Sequence, residues 1–111
     1  MDLSTIITSP TGDCVIVDPY DNKETDIIIT MYGPYSDEYE AAFKKDQARE
    51  ESNPLELLID LTSDWINLAV DGKELDFSRE NAEIVYSMEG KIVKRQAERF
   101  VLNTKNFLPK R

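Results

Sequence analysis

Two pairs of carboxylates have the spacing that could support chemistry in this sequence. Asp60 and Asp64 are four residues apart and Glu80 and Glu83 are three apart, so each pair would share one face of a helix. Two like charges held that close can raise the pKa of one carboxyl group or can bind a cation together. The chain has 22 acidic residues, however, so such spacings also arise by chance, and no cleft-forming motif accompanies them. We therefore interpret both pairs as solvated surface and rank a carboxylate-driven hydrolase as the least favoured function.

Histidine is absent from the sequence. This removes the commonest general base at neutral pH, the commonest metal ligand, and both the Ser-His and the Cys-His nucleophile arrangements. The single cysteine, Cys14, lies beside Val and Ile residues and is predicted to be a buried apolar group rather than a reactive thiol. The acidic segment around Asp18, Asp21 and Asp26 lacks the residue order of a calcium-binding loop. We predict no catalytic residues, no cofactor and no metal site, and we do not expect an enzyme.

Length and hydropathy predict one soluble domain over residues 1–111. A hydrophobic content of 41% is enough for a modest core, and no apolar run approaches the roughly 18 residues that a membrane span needs. The first ten residues, MDLSTIITSP, lack the basic and long apolar regions of a secretory signal. These features favour a cytoplasmic protein with no membrane partner.

The net charge of −9 is unevenly distributed along the chain. Residues 1–76 hold 18 acidic and 5 basic residues, a net charge of −13, whereas residues 77–111 hold 4 acidic and 8 basic residues, a net charge of +4. We refer to residues 1–76 as the acidic front. Its negative charge disfavours nucleic-acid binding, which needs clustered Lys and Arg. The asymmetry instead suggests contacts between opposite ends, within one molecule or between neighbours. It also supports an alternative function, an acidic accessory protein that mimics DNA and inhibits a nucleic-acid-binding protein.

Residues 1–35 predict a β-rich lead. Three β-prone runs occur there, at Leu3 to Thr8, Cys14 to Val17 and Asp26 to Tyr32, and they are separated by segments rich in turn-forming residues. The last two runs predict a β-hairpin, which must pack on helices because an isolated hairpin is only marginally stable in water.

Residues 36–111 predict about four short helices, which gives an α+β fold. Ser36, Asn53 and Ser78 are candidate N-caps, since each precedes a segment of helical periodicity. The apolar residues from Leu55 to Ala69 recur at helical spacing and predict the core helix, and Gly90 is predicted to end the third helix. The expected helices cover about 37–50, 54–69, 78–89 and 91–104.

Six residues are candidates for binding a partner. Tyr39 and Phe43 form a narrow apolar face on the first helix, whose second half is almost wholly polar and is either solvated or in contact with a partner. The last helix carries a basic stripe at spacings of three and four, which is either an ordinary polar face or a ridge for an acidic or helical partner. The acidic front of a neighbouring copy could meet this ridge, which would give self-association. The basic residues of the stripe are Lys91, Lys94, Arg95 and Arg99.

Four segments resemble the phage tail assembly chaperones. The longest is DWINLAVDGKELDFSRENA, residues 64–82, which combines a tryptophan, an Asp-Gly turn, a Phe-Ser helix start and an Asn-Ala pair. The segments MYGPYSDEY at 31–39, AAFKKDQARE at 41–50 and NTKNFL at 103–108 are also similar to segments of that family. They lie within residues 31–108, a span of about two thirds of the chain, and together contain 44 of its 111 residues.

The resemblance implies a non-catalytic protein of a long-tailed phage or prophage. Such a chaperone coats the tape measure protein, keeps its long hydrophobic helices soluble, recruits tail tube subunits and is absent from the finished tail. It acts in the host cytoplasm. The family pattern does not name partner-contacting residues, so the six candidates above rest on charge and periodicity alone.

Overall fold

The structure is a computed structural model that describes residues 2–108 and contains a three-stranded antiparallel sheet with the order β1-β2-β3. Strand β1 is Thr11–Val17, β2 is Glu24–Tyr32 and β3 is Thr62–Ile66. The predicted hairpin of the first two strands is confirmed, and Cys14 pairs with Ile29, which in turn pairs with Trp65. β-branched residues dominate β1 and β2, and their alternate side chains point to opposite faces of the sheet.

Within residues 2–108, four α-helices accompany the sheet, so the predicted α+β class is confirmed. All three predicted side-chain caps form: Ser36, Asn53 and Ser78 each accept a hydrogen bond from a backbone N–H three residues later. Among residues 2–108, no helix is both long enough and apolar enough to span a membrane. The helices are α1 (Asp37–Gln47), α2 (Pro54–Asp60), α3 (Arg79–Tyr86) and α4 (Ile92–Leu102).

Shorter elements complete the described chain. Strands β4 (Ala69–Val70) and β5 (Lys73–Glu74) form a small hairpin around the predicted Asp-Gly turn, where both turn residues have positive φ. Single 3-10 turns lie at Leu3–Thr5 and Thr104–Phe107. The hairpin therefore confirms the turn at residues 71–72.

The prediction of one core helix over 54–69 was wrong, because α2 ends at Asp60 and β3 follows at once. The C=O of Leu61 accepts a hydrogen bond from the N–H of Tyr32 at 2.7 Å, which draws the chain onto the edge of β2. The residues after it, Thr-Ser-Asp-Trp, are poor helix formers and include two good strand formers. The part of the chain that we expected to be wholly helical thus supplies the third strand.

Two further predicted boundaries were wrong. Residues Leu3 to Thr8 do not form a strand; a 3-10 turn occupies Leu3–Thr5, and the side chains of Ile6 and Ile7 remain exposed. Helix α3 ends at Tyr86 rather than near Gly90, and Gly90 instead adopts the positive φ of 82° that begins the turn into α4.

The core lies between the inner face of the sheet and the helices. Ile29 and Met31 of β2 are completely buried, as are Ala82 of α3 and Ala97 of α4. The C-terminal 3-10 turn closes one end of this core by inserting Phe107, which is also completely buried and contacts the ring of Phe100 edge-on. The core therefore joins residues from both ends of the described chain.

Phe107 lies so close to Gly33 that no side chain fits there. A Cβ at Gly33 would overlap the ring of Phe107, and the ring is enclosed and cannot move aside freely. We expect Gly33→Ala to lower the free energy of unfolding by about 1–3 kcal/mol, measured by urea denaturation. Removing the ring should relieve the overlap, so Phe107→Ala should cost at least about 1 kcal/mol less in the Gly33→Ala background than in the wild type. Additive effects of the two substitutions would contradict this explanation; Gly72→Ala, which has no neighbour within 4 Å, should be additive with Phe107→Ala.

Candidate partner-binding surfaces

Helix α4 presents part of the predicted basic stripe to solvent. Lys91, Arg95 and Arg99 are exposed, and neither arginine forms an ion pair with another residue of the range 2–108. Lys94 behaves differently, because its side chain is only 21% exposed and its Nζ lies 3.8 Å from Glu98. Ile92, half exposed, falls on the same side as the two arginines. We refer to Ile92, Arg95 and Arg99 as the outer stripe of α4.

The opposite side of α4 is fixed against the sheet. Ala97 and Val101 are buried there, and Gln96 forms two hydrogen bonds with the backbone of Val17 at the end of β1. The side-chain oxygen of Gln96 accepts from the N–H of Val17, and its amide N–H donates to the C=O of Val17, both at 2.8 Å. This pair of bonds occupies backbone groups at the edge of β1 and sets the rotation of α4, which leaves the outer stripe facing solvent.

Tyr39 and Phe43 are half-buried neighbours on α1, with ring centroids 4.7 Å apart. Phe43 also borders an open apolar groove of about 200 Å³ between α1, α2 and α4, but Tyr39 does not. Leu102, whose side chain is 79% exposed, also lines the groove. We refer to this feature as the helical groove. Its lining residues are Phe43, Pro54, Leu57, Leu58, Leu61, Glu98, Val101 and Leu102.

The carboxylate pair at Asp60 and Asp64 does not exist, because the two residues lie on different elements. Asp60 contacts the guanidinium of Arg79, and its other oxygen lies 3.7 Å from Lys45 and 3.9 Å from Arg49. It therefore joins α1, α2 and α3 electrostatically. Asp64 accepts a hydrogen bond from the N–H of Trp65 on the sheet edge. The second pair, on α3, is exposed, as predicted.

The carboxylate of Asp46 stabilises the turn between α1 and α2 by accepting hydrogen bonds. The N–H of Asn53, the hydroxyl of Ser52 and the guanidinium of Arg49 all donate to its carboxylate, at 2.7–3.0 Å. These bonds, the backbone N–H of Asn53 foremost, hold the pKa of Asp46 below its ordinary value. This arrangement positions α1 and α2, which form two walls of the helical groove.

Cys14 and Tyr86 are the buried titratable groups of the core. Burial raises the pKa of the Cys14 thiol to about 11, so the prediction of a buried, unreactive cysteine agrees with its surroundings. Burial also raises the pKa of Tyr86 to about 12. The hydroxyl of Thr62 lies 2.7 Å from the Tyr86 hydroxyl and 2.8 Å from the C=O of Leu58. Thr62 thus donates to Leu58 and accepts from Tyr86, which links α2, β3 and α3.

The outer face of the sheet, the face turned away from α4, was not predicted from the sequence. Val15, Ile28 and Ile66 pair in register across the three strands and form an apolar row, in which Ile66 is 51% exposed. Acidic residues occupy the neighbouring positions of this face, and no Lys or Arg lies on its strand positions. The alternation of acidic and apolar residues in β2 was a signal for this face. The acidic residues are Asp13, Glu24, Asp26 and Asp64.

Comparison of the chain with protein-family models, with curated proteins and with solved structures gives no match. Within residues 2–108, no group of three or more acidic or cysteine side chains is placed to hold a metal ion. The features that the geometry does present are three surfaces: the helical groove, the outer stripe of α4 and the outer face of the sheet.

Proposed function

We propose that this protein is a phage tail assembly chaperone that binds the tape measure protein, keeps it soluble in the host cytoplasm and helps to recruit tail tube subunits. The observation that carries the proposal is the helical groove, which is apolar, open to solvent and lined by Phe43 and the exposed Leu102 among others. Together with the four segments that resemble this family, the groove supplies a place where an apolar helix can lie.

The groove has the chemistry that an apolar helix requires. Its walls are aromatic and aliphatic, and Glu98 is the one charged residue among those that line it. An amphipathic or apolar helix binds such a channel by burying side chains at positions i, i+3, i+4 and i+7. Each buried Leu or Phe side chain contributes roughly 1.5–3 kcal/mol. The net charge of −9 would keep a complex with a hydrophobic partner in solution.

The segment with the strongest resemblance to the family has a defined local structure. The ring N–H of Trp65 donates to the C=O of Leu75 at 2.8 Å, and the ring of Phe77 packs edge-on against it. The amide of Asn81 donates to the C=O of Asp76, next to the Ser78 cap. The residues quoted for the resemblance therefore contact one another, which supports reading them as one unit rather than as scattered similarities.

Co-expression with fragments of the tape measure protein encoded in the same phage genome tests the proposal. The chain should co-elute with at least one fragment in size-exclusion chromatography and keep it soluble. Leu102→Glu should weaken this binding by about tenfold or more, because it places a charge in an apolar channel. Leu3→Glu is the matched control, since Leu3 is also 79% exposed but lies outside the groove. If no fragment co-elutes with the wild-type chain, the proposed function is wrong.

A further inference from the structure

We infer that the outer face of the sheet is a self-association surface that receives the outer stripe of α4 from a second copy of this chain. The inference concerns the chain alone and does not depend on the proposed function.

The outer face has a composition that suits a basic and partly apolar partner. Its central row consists of Val15, Ile28 and Ile66, and it crosses all three strands without a polar residue. The adjacent row places Asp13 and Asp64 on either side of Thr30, whose hydroxyl donates to Asp13 at 2.9 Å. Neither Asp13 nor Asp64 forms an ion pair within residues 2–108. Such a face carries uncompensated negative charge around an apolar centre.

The outer stripe of α4 has the complementary composition. Ile92 offers an apolar side chain, and Arg95 and Arg99 follow on the same side of the helix at intervals of three and four residues. Both guanidinium groups lack an ion-pair partner among the residues that the structure describes. Arg99 Nε donates one weak hydrogen bond, at 3.4 Å, to the C=O of Arg95. Arginine suits this role because its planar group binds carboxylates with two parallel hydrogen bonds.

The two surfaces also match in length. Three adjacent strands place the ends of the apolar row roughly 10 Å apart, since neighbouring strands are about 4.8 Å from each other. Arg99 lies seven residues after Ile92, so the two are about 10.5 Å apart along the axis of α4. A helix laid across the strands can therefore set Ile92 on the row while both arginines reach carboxylates beside it.

The contact would be head-to-tail rather than two-fold symmetric. Helix α4 packs through Ala97 and Val101 on the inner side of its own sheet, and Arg99 borders the same cavity as Val15 beside β1, so the outer stripe and the outer sheet face are two different patches of one molecule. Each copy then offers one surface of each kind, and copies add in layers until a ring closes or a filament forms.

A mixing experiment with two blocked variants tests this arrangement. Asp26→Lys with Ile66→Lys blocks the sheet face, and Arg95→Glu with Arg99→Glu blocks the helix stripe. The wild type should show concentration-dependent association in sedimentation velocity. Each variant alone should associate at least a hundredfold more weakly, because like charges would face each other. An equimolar mixture should form dimers and no larger species, because only one complementary pair of surfaces remains intact.

Controls separate the interface from general charge and folding effects. Lys23→Glu with Lys73→Glu changes the charge as much as the α4 variant but alters bases outside the outer stripe, so it should associate like the wild type. Far-UV circular dichroism checks that each variant folds. Raising the salt from about 0.05 to 0.5 M should weaken wild-type association, since the screening length falls from roughly 14 to 4 Å. A wild type that stays monomeric at about 0.5 mM, a blocked variant that still assembles, or a mixture that forms no dimers would overturn the inference.

Discussion

Replacing Trp65 by alanine is expected to lower the free energy of unfolding by about 3–5 kcal/mol, a large share of the roughly 5–15 kcal/mol that stabilises a typical folded domain. The indole is 4% exposed and lies on β3, the edge strand that completes the inner face of the sheet. Its ring contacts Phe77 at a centroid distance of 5.0 Å. Alanine would leave a cavity between the sheet and the 75–77 segment and would also remove the hydrogen bond to the C=O of Leu75.

Urea denaturation followed by far-UV circular dichroism measures this effect without using the indole as the probe. Trp65→Phe separates the two contributions, because it keeps much of the ring volume but leaves the Leu75 C=O without its partner; it should cost about 1–3 kcal/mol. Tyr20→Ala is the surface control and should change stability by less than about 0.5 kcal/mol, since Tyr20 is 98% exposed. A loss below about 1 kcal/mol in Trp65→Ala would show that the indole does not anchor the fold.

The elements that sequence reasoning placed well are those specified by neighbouring residues. Ser36, Asn53 and Ser78 cap helices because their side-chain oxygens bond backbone groups only three residues away. The Asp71-Gly72 turn forms because glycine accepts positive φ at little cost. The first hairpin also follows from local composition, since both of its strands are β-branched runs close together in the chain.

The third strand could not be placed from local pattern, because the decisive contact is made by a residue about 30 positions away. Leu58, Ile59 and Leu61 continue a helical spacing into Trp65, so the periodicity alone extends the helix. The free edge of β2, however, offers backbone hydrogen bonds, and from Leu61 onward the chain pairs with this edge instead of continuing the helix. Within the strand every second side chain faces the core, rather than one in every 3.6, and Trp65 is on the buried side.

The candidate surfaces also divide into features set by neighbouring residues and features that depend on contacts between distant parts of the chain. The spacing of Arg95 and Arg99 correctly predicted a shared helix face, because both belong to one helix. The same spacing misplaced Lys94 in that stripe, since its pairing with Glu98 depends on how α4 is rotated against the sheet. The outer face of the sheet was missed because its apolar row joins three strands, and the register that aligns Val15, Ile28 and Ile66 exists only after folding.

Alkaline pH is expected to destabilise the fold through the buried Tyr86. Burial raises its pKa from 10.0 to about 12, so the folded protein keeps the phenol protonated where the unfolded chain would ionise. The contribution of this group to stability is complete below pH 10 and is lost as the pH rises through 12. A difference of two pKa units corresponds to about 3 kcal/mol. Cys14 acts in the same direction from pH 9 to 11, because burial raises its pKa from 9.0 to about 11.

Two substitutions of tyrosine isolate this effect. Tyr86→Phe should cost about 1 kcal/mol at pH 8, because it removes the hydrogen bond to Thr62 while the Thr62 hydroxyl still donates to Leu58. Between pH 10 and 12 the variant should lose less stability than the wild type, so the two urea-denaturation profiles converge or cross. Tyr20→Phe, at an exposed position, should follow the wild-type profile throughout. Parallel profiles for Tyr86→Phe and the wild type would mean that the phenol ionises equally in both states, which the burial of Tyr86 and its hydrogen bond to Thr62 of β3 should prevent.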